Sequence, residues 1–167
     1  MKIFSRLPIF IDDTFNFSIQ NLKNKIKTII FEQSKLGLIV IDYLQLLKDP
    51  TIKTENRTQE ISQITRSLKN IAREFNLPII ALSQLSRNIE SRVNQYPMLS
   101  DLRESGSIEQ DADLILFLHK PKQANLAQNQ SSIKILELIL AKQRNGPTGV
   151  LKLKFYEKQT KFINIKD

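Results

Sequence analysis

The chain of 167 residues contains no cysteine. It therefore forms no disulfide and has no thiolate with which to bind zinc. A single histidine, His119, follows an apolar run, and nothing beside it in sequence completes a catalytic triad. No apolar run is long enough to span a bilayer. The first residues carry one lysine before a short apolar stretch and no small-residue cleavage site, so they do not read as a secretory signal. Glycine is scarce: Gly37, Gly106, Gly146 and Gly149 are the four. A phosphate-cradling loop of the form G-x-x-x-x-G-K-[ST] needs two glycines five positions apart, followed by lysine. No pair here has that spacing, so the usual phosphate loop is missing from this chain.

Hydrophobic residues make up 41% and charged residues 25%, a balance that fits one globular domain over residues 1–167. The net charge of +8 points to a polyanionic partner, most simply nucleic acid, or else to a solvated basic surface. The many Ile, Lys and Asn residues also fit coding by an AT-rich genome.

Hydropathy patterning predicts alternating strands and helices. Leu7 to Ile11 reads as a first strand. Ser18 is the expected N-cap of a helix with Ile19, Leu22, Ile26, Ile29 and Ile30 on one face, ending near Gly37. Leu38 to Ile41 is a continuous apolar run leading into Asp42, as in a parallel strand buried on both faces. Thr58 is the expected cap of a second helix carrying Ile61, Ile64, Leu68, Ile71, Ala72 and Phe75, stopped at Asn76-Leu77-Pro78. Pro78 to Ser83 repeats the buried strand. A long polar link leads to a short helix over Asp101 to Gln110, broken near Gly106. Asp113 to Leu118 reads as another strand. Ile133 to Ala141, Val150 to Tyr156 and Phe162 to Ile165 read as antiparallel strands, with a turn at Asn145 to Gly149. Lys48 to Arg57 and Pro121 to Ser132 read as loops.

Several residues stand where chemistry is done. Asp42 ends a buried strand, at the carboxyl edge where open α/β sheets bind ligands. Two readings of it stand: a Mg²⁺ ligand near nucleotide phosphates, or a strand end turning into water. Gln84 follows a later strand, placed either to sense a terminal phosphate or simply to leave the sheet. Lys142 and Arg144, two apart at a strand end, point the same way. They suit a phosphate, supplied in trans as an arginine finger, or a solvated hairpin. Arg103, Glu104 and Gly106 lie in a run able to grip a nucleic-acid backbone or to cap a helix.

Four runs carry a family resemblance: Leu38 to Leu46 (LIVIDYLQL), Ala81 to Arg87 (ALSQLSR), Ser100 to Asp113 (SDLRESGSIEQDAD) and Ala141 to Gly149 (AKQRNGPTG). In this order they resemble the DnaB-type replicative DNA helicases, and Leu7 to Thr14 is similar to the family's preceding segment. The resemblance covers essentially the whole chain. It implies an α/β, RecA-like P-loop NTPase core: a mostly parallel sheet flanked by helices, with a C-terminal antiparallel hairpin, incomplete at its N-terminal side. It implies ATP and Mg²⁺ as cofactors, single-stranded DNA as partner, a homo-hexamer when complete, and no membrane. It implies that the activity is ATP-driven translocation on single-stranded DNA, with duplex unwinding at the replication fork.

By position, the resemblance makes Asp42 the Walker B metal ligand and Gln84 the γ-phosphate contact. It directs Lys142 and Arg144 to the neighbouring subunit's nucleotide, and Arg103, Glu104 and Gly106 to the DNA. The family's phosphate loop, catalytic glutamate and collar domain have no counterpart here. The missing N-terminal half is thus an implied partner, and the chain alone is expected not to hydrolyse ATP. A divided or interrupted gene, a truncated reading frame and a cut piece each account for this. A plastid or a bacterial cytoplasm is the expected setting. The rival reading is an ATPase-inactive fragment that only binds single-stranded nucleic acid.

Overall fold

The structure is a computed structural model that describes residues 7–14, 17–33, 35–48, 56–102, 106–121 and 133–165. Its elements in chain order are α1 (Ile19–Gln33), β1 (Ile39–Ile41), α2 (Arg57–Glu74), β2 (Ile79–Ala81), α3 (Gly106–Asp111), β3 (Leu114–His119), β4 (Ile133–Gln143), β5 (Gly149–Tyr156) and β6 (Lys161–Asn164).

Helix α1 forms as its periodicity predicts. Ser18 accepts a hydrogen bond from the Asn21 amide at 3.1 Å, and Ile19, Leu22, Ile26 and Ile29 are buried. Gly37 does not end this helix. Helix α1 stops at Gln33, and Gly37 lies in the link to β1. Helix α2 buries Ile61, Ile64, Thr65, Leu68 and Ile71. Ile61 and Ile64 are fully enclosed, and each contributes roughly 1.5–3 kcal/mol by leaving water. The α2 cap is Asn56 rather than Thr58: the Thr58 amide donates to the Asn56 side chain at 3.0 Å. Asn56 has the extended backbone that an N-cap requires, whereas Thr58 is already inside the helix.

The C-terminal stop works as the sequence indicates. Asn76 takes a left-handed backbone with φ of 51°. The amides of Asn76 and Leu77 donate to Arg73 and Ala72 carbonyls at 3.3 and 2.9 Å, a Schellman closure.

Strands β1 and β2 are parallel neighbours, with Ile39 opposite Ile79, Val40 opposite Ile80 and Ile41 opposite Ala81. Helices α1 and α2 pack on one side of them around Ile39, Leu44, Leu47 and Leu77. Strands β3 to β6 form an antiparallel meander in sequential order. The expected C-terminal hairpin is therefore part of a larger unit, and among the described residues the parallel part is two strands against four antiparallel ones.

The second core gathers Leu102, Ile115, Phe117 and Ile139. Ile108 of α3 packs against both cores and so joins them. Polar ties reinforce the junction. Thr65 donates to Asp111 at 2.7 Å, and Lys69 of α2 pairs with Asp113 immediately before β3. Lys69 holds the Asp113 carboxyl below the usual carboxylate range, with burial opposing it and the charges of Lys69, Arg144 and Arg73 adding to it.

The first expected strand does not form. Residues 7–14 carry no strand pairing, Ile9 is 59% exposed and Ile11 89%. An apolar run becomes a strand only where a neighbour offers a hydrogen-bonding edge, and none of the described strands pairs with this one.

Candidate functional site

The parallel ladder continues past the named strands. The Leu82 amide donates to the Ile41 carbonyl at 2.9 Å, and the Leu44 amide donates to the Leu82 carbonyl at 2.8 Å. The carboxyl ends of β1 and β2 therefore stay side by side. Asp42 directly follows β1, and Gln84 stands three residues beyond β2. Both side chains are exposed at this one edge. The Asp42–Tyr43 peptide bond is cis.

Beneath them lies a polar network that sequence reasoning did not single out. Gln45 donates from Nε2 to Ser83 Oγ at 2.9 Å, bridging the two strand ends. The Gln45 carbonyl accepts from Arg57 Nη2 at 2.7 Å, and Arg57 also pairs with Glu60 one turn along α2. The edge is thus braced by the first turn of α2. The signal available in sequence was weak: Gln45 lies three residues past Asp42, but its bond to Ser83 spans 38 residues.

Lys142 and Arg144 do point the same way. Both reach carbonyls at the C-terminal end of α3 and the residue after it. Lys142 Nζ donates to the carbonyls of Glu109 and, at 2.8 Å, of Ala112, and Arg144 Nη2 donates to that of Gln110 at 2.9 Å. Cations at a helix C-terminus are favoured by its dipole. Arg144 also lies 3.6 Å from the Asp113 carboxylate and is 45% exposed along its side chain. A bulge between Ile115 and Leu116 shifts the β3–β4 register, so that Ile115 faces Lys142 while Leu116 faces Leu140.

Gly106 opens α3. Arg103 and Glu104 lie outside the described residues. The segment leading to them is anchored by Asp101, a carboxylate only 2% exposed. Its oxygens accept a twofold pair from Arg92, and Oδ2 also accepts the Met98 amide at 2.8 Å. Its carbonyl accepts from the Ser86 amide at 2.7 Å, and Leu85 and Leu102 form an antiparallel bridge. Burial pushes the Asp101 carboxyl up, but Arg92 and the Met98 amide outweigh it and hold it below the usual range. The long link after Gln84 is therefore folded back onto the segment before Arg103. His119 sits edge-on to Tyr96, with ring centres 5.5 Å apart, and takes no part in the strand-end site.

A Mg²⁺ ion bound with a nucleotide keeps several waters and takes one or two carboxylates along with phosphate oxygens. The single exposed carboxylate of Asp42 fits that mode. No group of three metal-ligating side chains gathers among the described residues, so they form no all-protein cage.

Residues 1–164 match the DnaB-like helicase C terminal domain family. A "Probable replicative DNA helicase" of Trieres chinensis is 61% identical over 165 residues, which is 98% of this chain and 36% of that protein. The "Replicative DNA helicase DnaB" of Geobacillus stearothermophilus is 47% identical over 99% of this chain and 36% of its own. Among solved structures, that of "A DnaB-Like Replicative Helicase And Its Interactions With Primase" superposes with a TM-score of 0.85 at 41% identity, over 98% of this chain and 39% of that one. A second solved structure, of an ATPase domain, gives 0.84 at 42% identity, over 98% of this chain and 57% of that one. The fold is the RecA-like fold of these ATPase domains. The chain spans little more than a third of the curated relatives it matches, and it belongs to the DnaB-like helicase C-terminal domain family.

Proposed function

We propose that the chain is the part of a replicative DNA helicase that supplies metal binding, phosphate sensing, a trans cation and a DNA grip. The whole machine couples ATP hydrolysis to translocation on single-stranded DNA and to duplex unwinding at the fork. The observation that carries the reading is the shared edge of β1 and β2, where Asp42 and Gln84 both follow the carboxyl ends of paired strands and are exposed. A carboxylate and a neutral amide at neighbouring carboxyl ends suit a nucleotide phosphate with its metal.

In this reading Asp42 holds Mg²⁺, directly or through water. Gln84 contacts the γ-phosphate. Lys142 and Arg144 serve the nucleotide of an adjacent subunit in a homo-hexamer, exchanging their bonds to the α3 carbonyls for phosphate oxygens. Arg103, Glu104 and Gly106 hold the DNA backbone. The phosphate-loop half of the domain comes from polypeptide outside these 167 residues, because none of the four glycines has the required spacing. By itself the chain does not hydrolyse ATP. Relatives in Trieres chinensis and Geobacillus, together with the Lys, Ile and Asn bias, support a plastid or bacterial cytoplasmic setting.

The test is nucleotide hydrolysis by the purified chain with and without the remainder of a relative's ATPase domain. Hydrolysis that needs both parts and Mg²⁺, and is lost with Asp42→Ala, supports the reading. Salt-sensitive single-strand binding with no nucleotide response in either state favours the rival, a binding fragment.

A further inference from the structure

From Leu85 to Leu102 the chain makes a long excursion without a strand or an α-helix. Links of this length in a compact domain are ordinarily functional or disordered. This one is braced from within. Its base is closed by the Leu85–Leu102 bridge and by the Ser86 amide, which donates to the Asp101 carbonyl at 2.7 Å. The Ser86 hydroxyl accepts the Asn88 amide at 3.3 Å. Farther out, Gln95 takes a left-handed backbone with φ of 46°, and its Nε2 donates to the Glu90 carbonyl at 3.0 Å. The Tyr96 ring rests edge-on against His119 of β3 and so ties the outer turn to the sheet.

Arg92 stands at the centre of this excursion. Its guanidinium holds both Asp101 oxygens, and Nη1 also donates to the Tyr96 carbonyl at 3.4 Å. Asp101 accepts the Met98 amide as well, so one buried carboxylate gathers the outgoing and returning segments. A buried ion pair is a poor source of net stability, because its desolvation offsets much of its attraction. A two-pronged arginine–carboxylate contact does fix a geometry, since its parallel bonds set both distance and direction. Leu99 and Leu102, on either side of Asp101, carry that geometry into the second core. Asp101 stands two residues before Arg103, and α3 opens at Gly106.

We infer that Arg92 and Asp101 are positioning residues for the DNA grip. The inference rests on the proposed function, in which Arg103, Glu104 and Gly106 hold the backbone of single-stranded DNA. A contact to a phosphate is weakened when the chain that carries it must be ordered at the moment of binding. The Arg92–Asp101 pair orders the approach to the grip before DNA arrives. Asp101 is enclosed and anionic, so it acts through its neighbours in the chain and not on a phosphate.

The experiment is a double-mutant cycle on the full chain, with a fluorescently labelled oligothymidylate as probe and anisotropy as readout. The parent, Asp101→Asn, Arg103→Ala and the double variant are compared well below their melting midpoints, with circular dichroism verifying that each is folded. Asp101→Asn should weaken binding by about five- to thirtyfold, the cost of fixing one further residue on binding. In the Arg103→Ala background the same substitution should change affinity by less than about twofold, because its effect passes through Arg103. A role in stability alone does not give this dependence on Arg103. Should Asp101→Asn fail to fold, Arg92→Lys, which keeps the charge but gives up the two-pronged contact, takes its place in the cycle with the same expected pattern. Parent-like affinity of the Asp101 or Arg92 variant, or equal weakening in both backgrounds, overturns the inference while leaving the DNA grip in place. Arg103→Ala with parent-like affinity refutes the grip itself, and the inference with it.

Discussion

Replacing Asp101 by asparagine removes the charge from the most enclosed ion pair among the described residues. The carboxylate is 2% exposed and accepts three hydrogen bonds, two from Arg92 and one from the Met98 amide. Removing one partner of a fully buried pair costs about 3–5 kcal/mol. The Arg92 side chain is 32% exposed, so its guanidinium regains water and the cost falls to about 2–3 kcal/mol. For a domain of this size each kcal/mol moves the midpoint by about 2–4 °C, which gives a drop of roughly 4–12 °C.

The pH dependence has a definite sign. The Asp101 carboxyl lies below its ordinary value of 3.8 in the folded chain, so its contribution is present above that value and is lost as pH falls through the folded value. The parent should therefore lose stability on acidification below about pH 4 more steeply than Asp101→Asn does. Thermal melts followed by circular dichroism at neutral and acid pH read both effects. A neutral-pH midpoint within about 1 °C of the parent's, or parallel acid profiles, would mean that the Arg92–Asp101 pair does not stabilise the fold.

Ile61→Ala should destabilise by roughly 2–5 kcal/mol in urea unfolding, since the side chain is wholly enclosed against both helices and β1. Asn76→Val should cost about 1–2 kcal/mol while Asn76→Gly stays near neutral, because φ of 51° penalises a β-branched residue; paired urea midpoints check it. If Arg103 meets a phosphate, Arg103→Ala should weaken single-strand binding across sequences and lower the salt slope by about one, read by fluorescence anisotropy from about 50 to 200 mM salt.

The helices were legible because their cores are periodic. Ile19, Leu22, Ile26 and Ile29 on α1, and Ile61, Ile64, Leu68 and Ile71 on α2, are buried where the spacing puts them. The antiparallel strands were legible for the same reason, though not their full lengths. Strand β4 runs to Gln143, because its last residues pair with β3, which the local pattern does not encode.

Most of what failed depends on distant partners. Leu7 to Ile11 has a strand's composition, but no described strand pairs with it. The choice between Asn56 and Thr58 as cap turns on one residue's backbone angle. Asp101 reads locally as a helix start, yet its function in the fold comes from Arg92, which sequence gives no means of pairing with it. At the site, Asp42 and Gln84 stood out through strand ends alone, and the parallel pairing of β1 with β2 puts both at one edge of the sheet. Gln45, Ser83 and Arg57 carried no comparable mark.

In the proposed function, Asp42 and Gln84 form half of a nucleotide site whose other half lies outside these residues. The most direct measurement is Mg²⁺-dependent ATP hydrolysis by the purified chain, by the chain combined with the remainder of a relative's ATPase domain, and by the same combination carrying Asp42→Ala. Turnover should appear only in the second sample. Turnover by the chain alone that Asp42→Ala abolishes, or turnover in the combination that Asp42→Ala leaves intact, contradicts this.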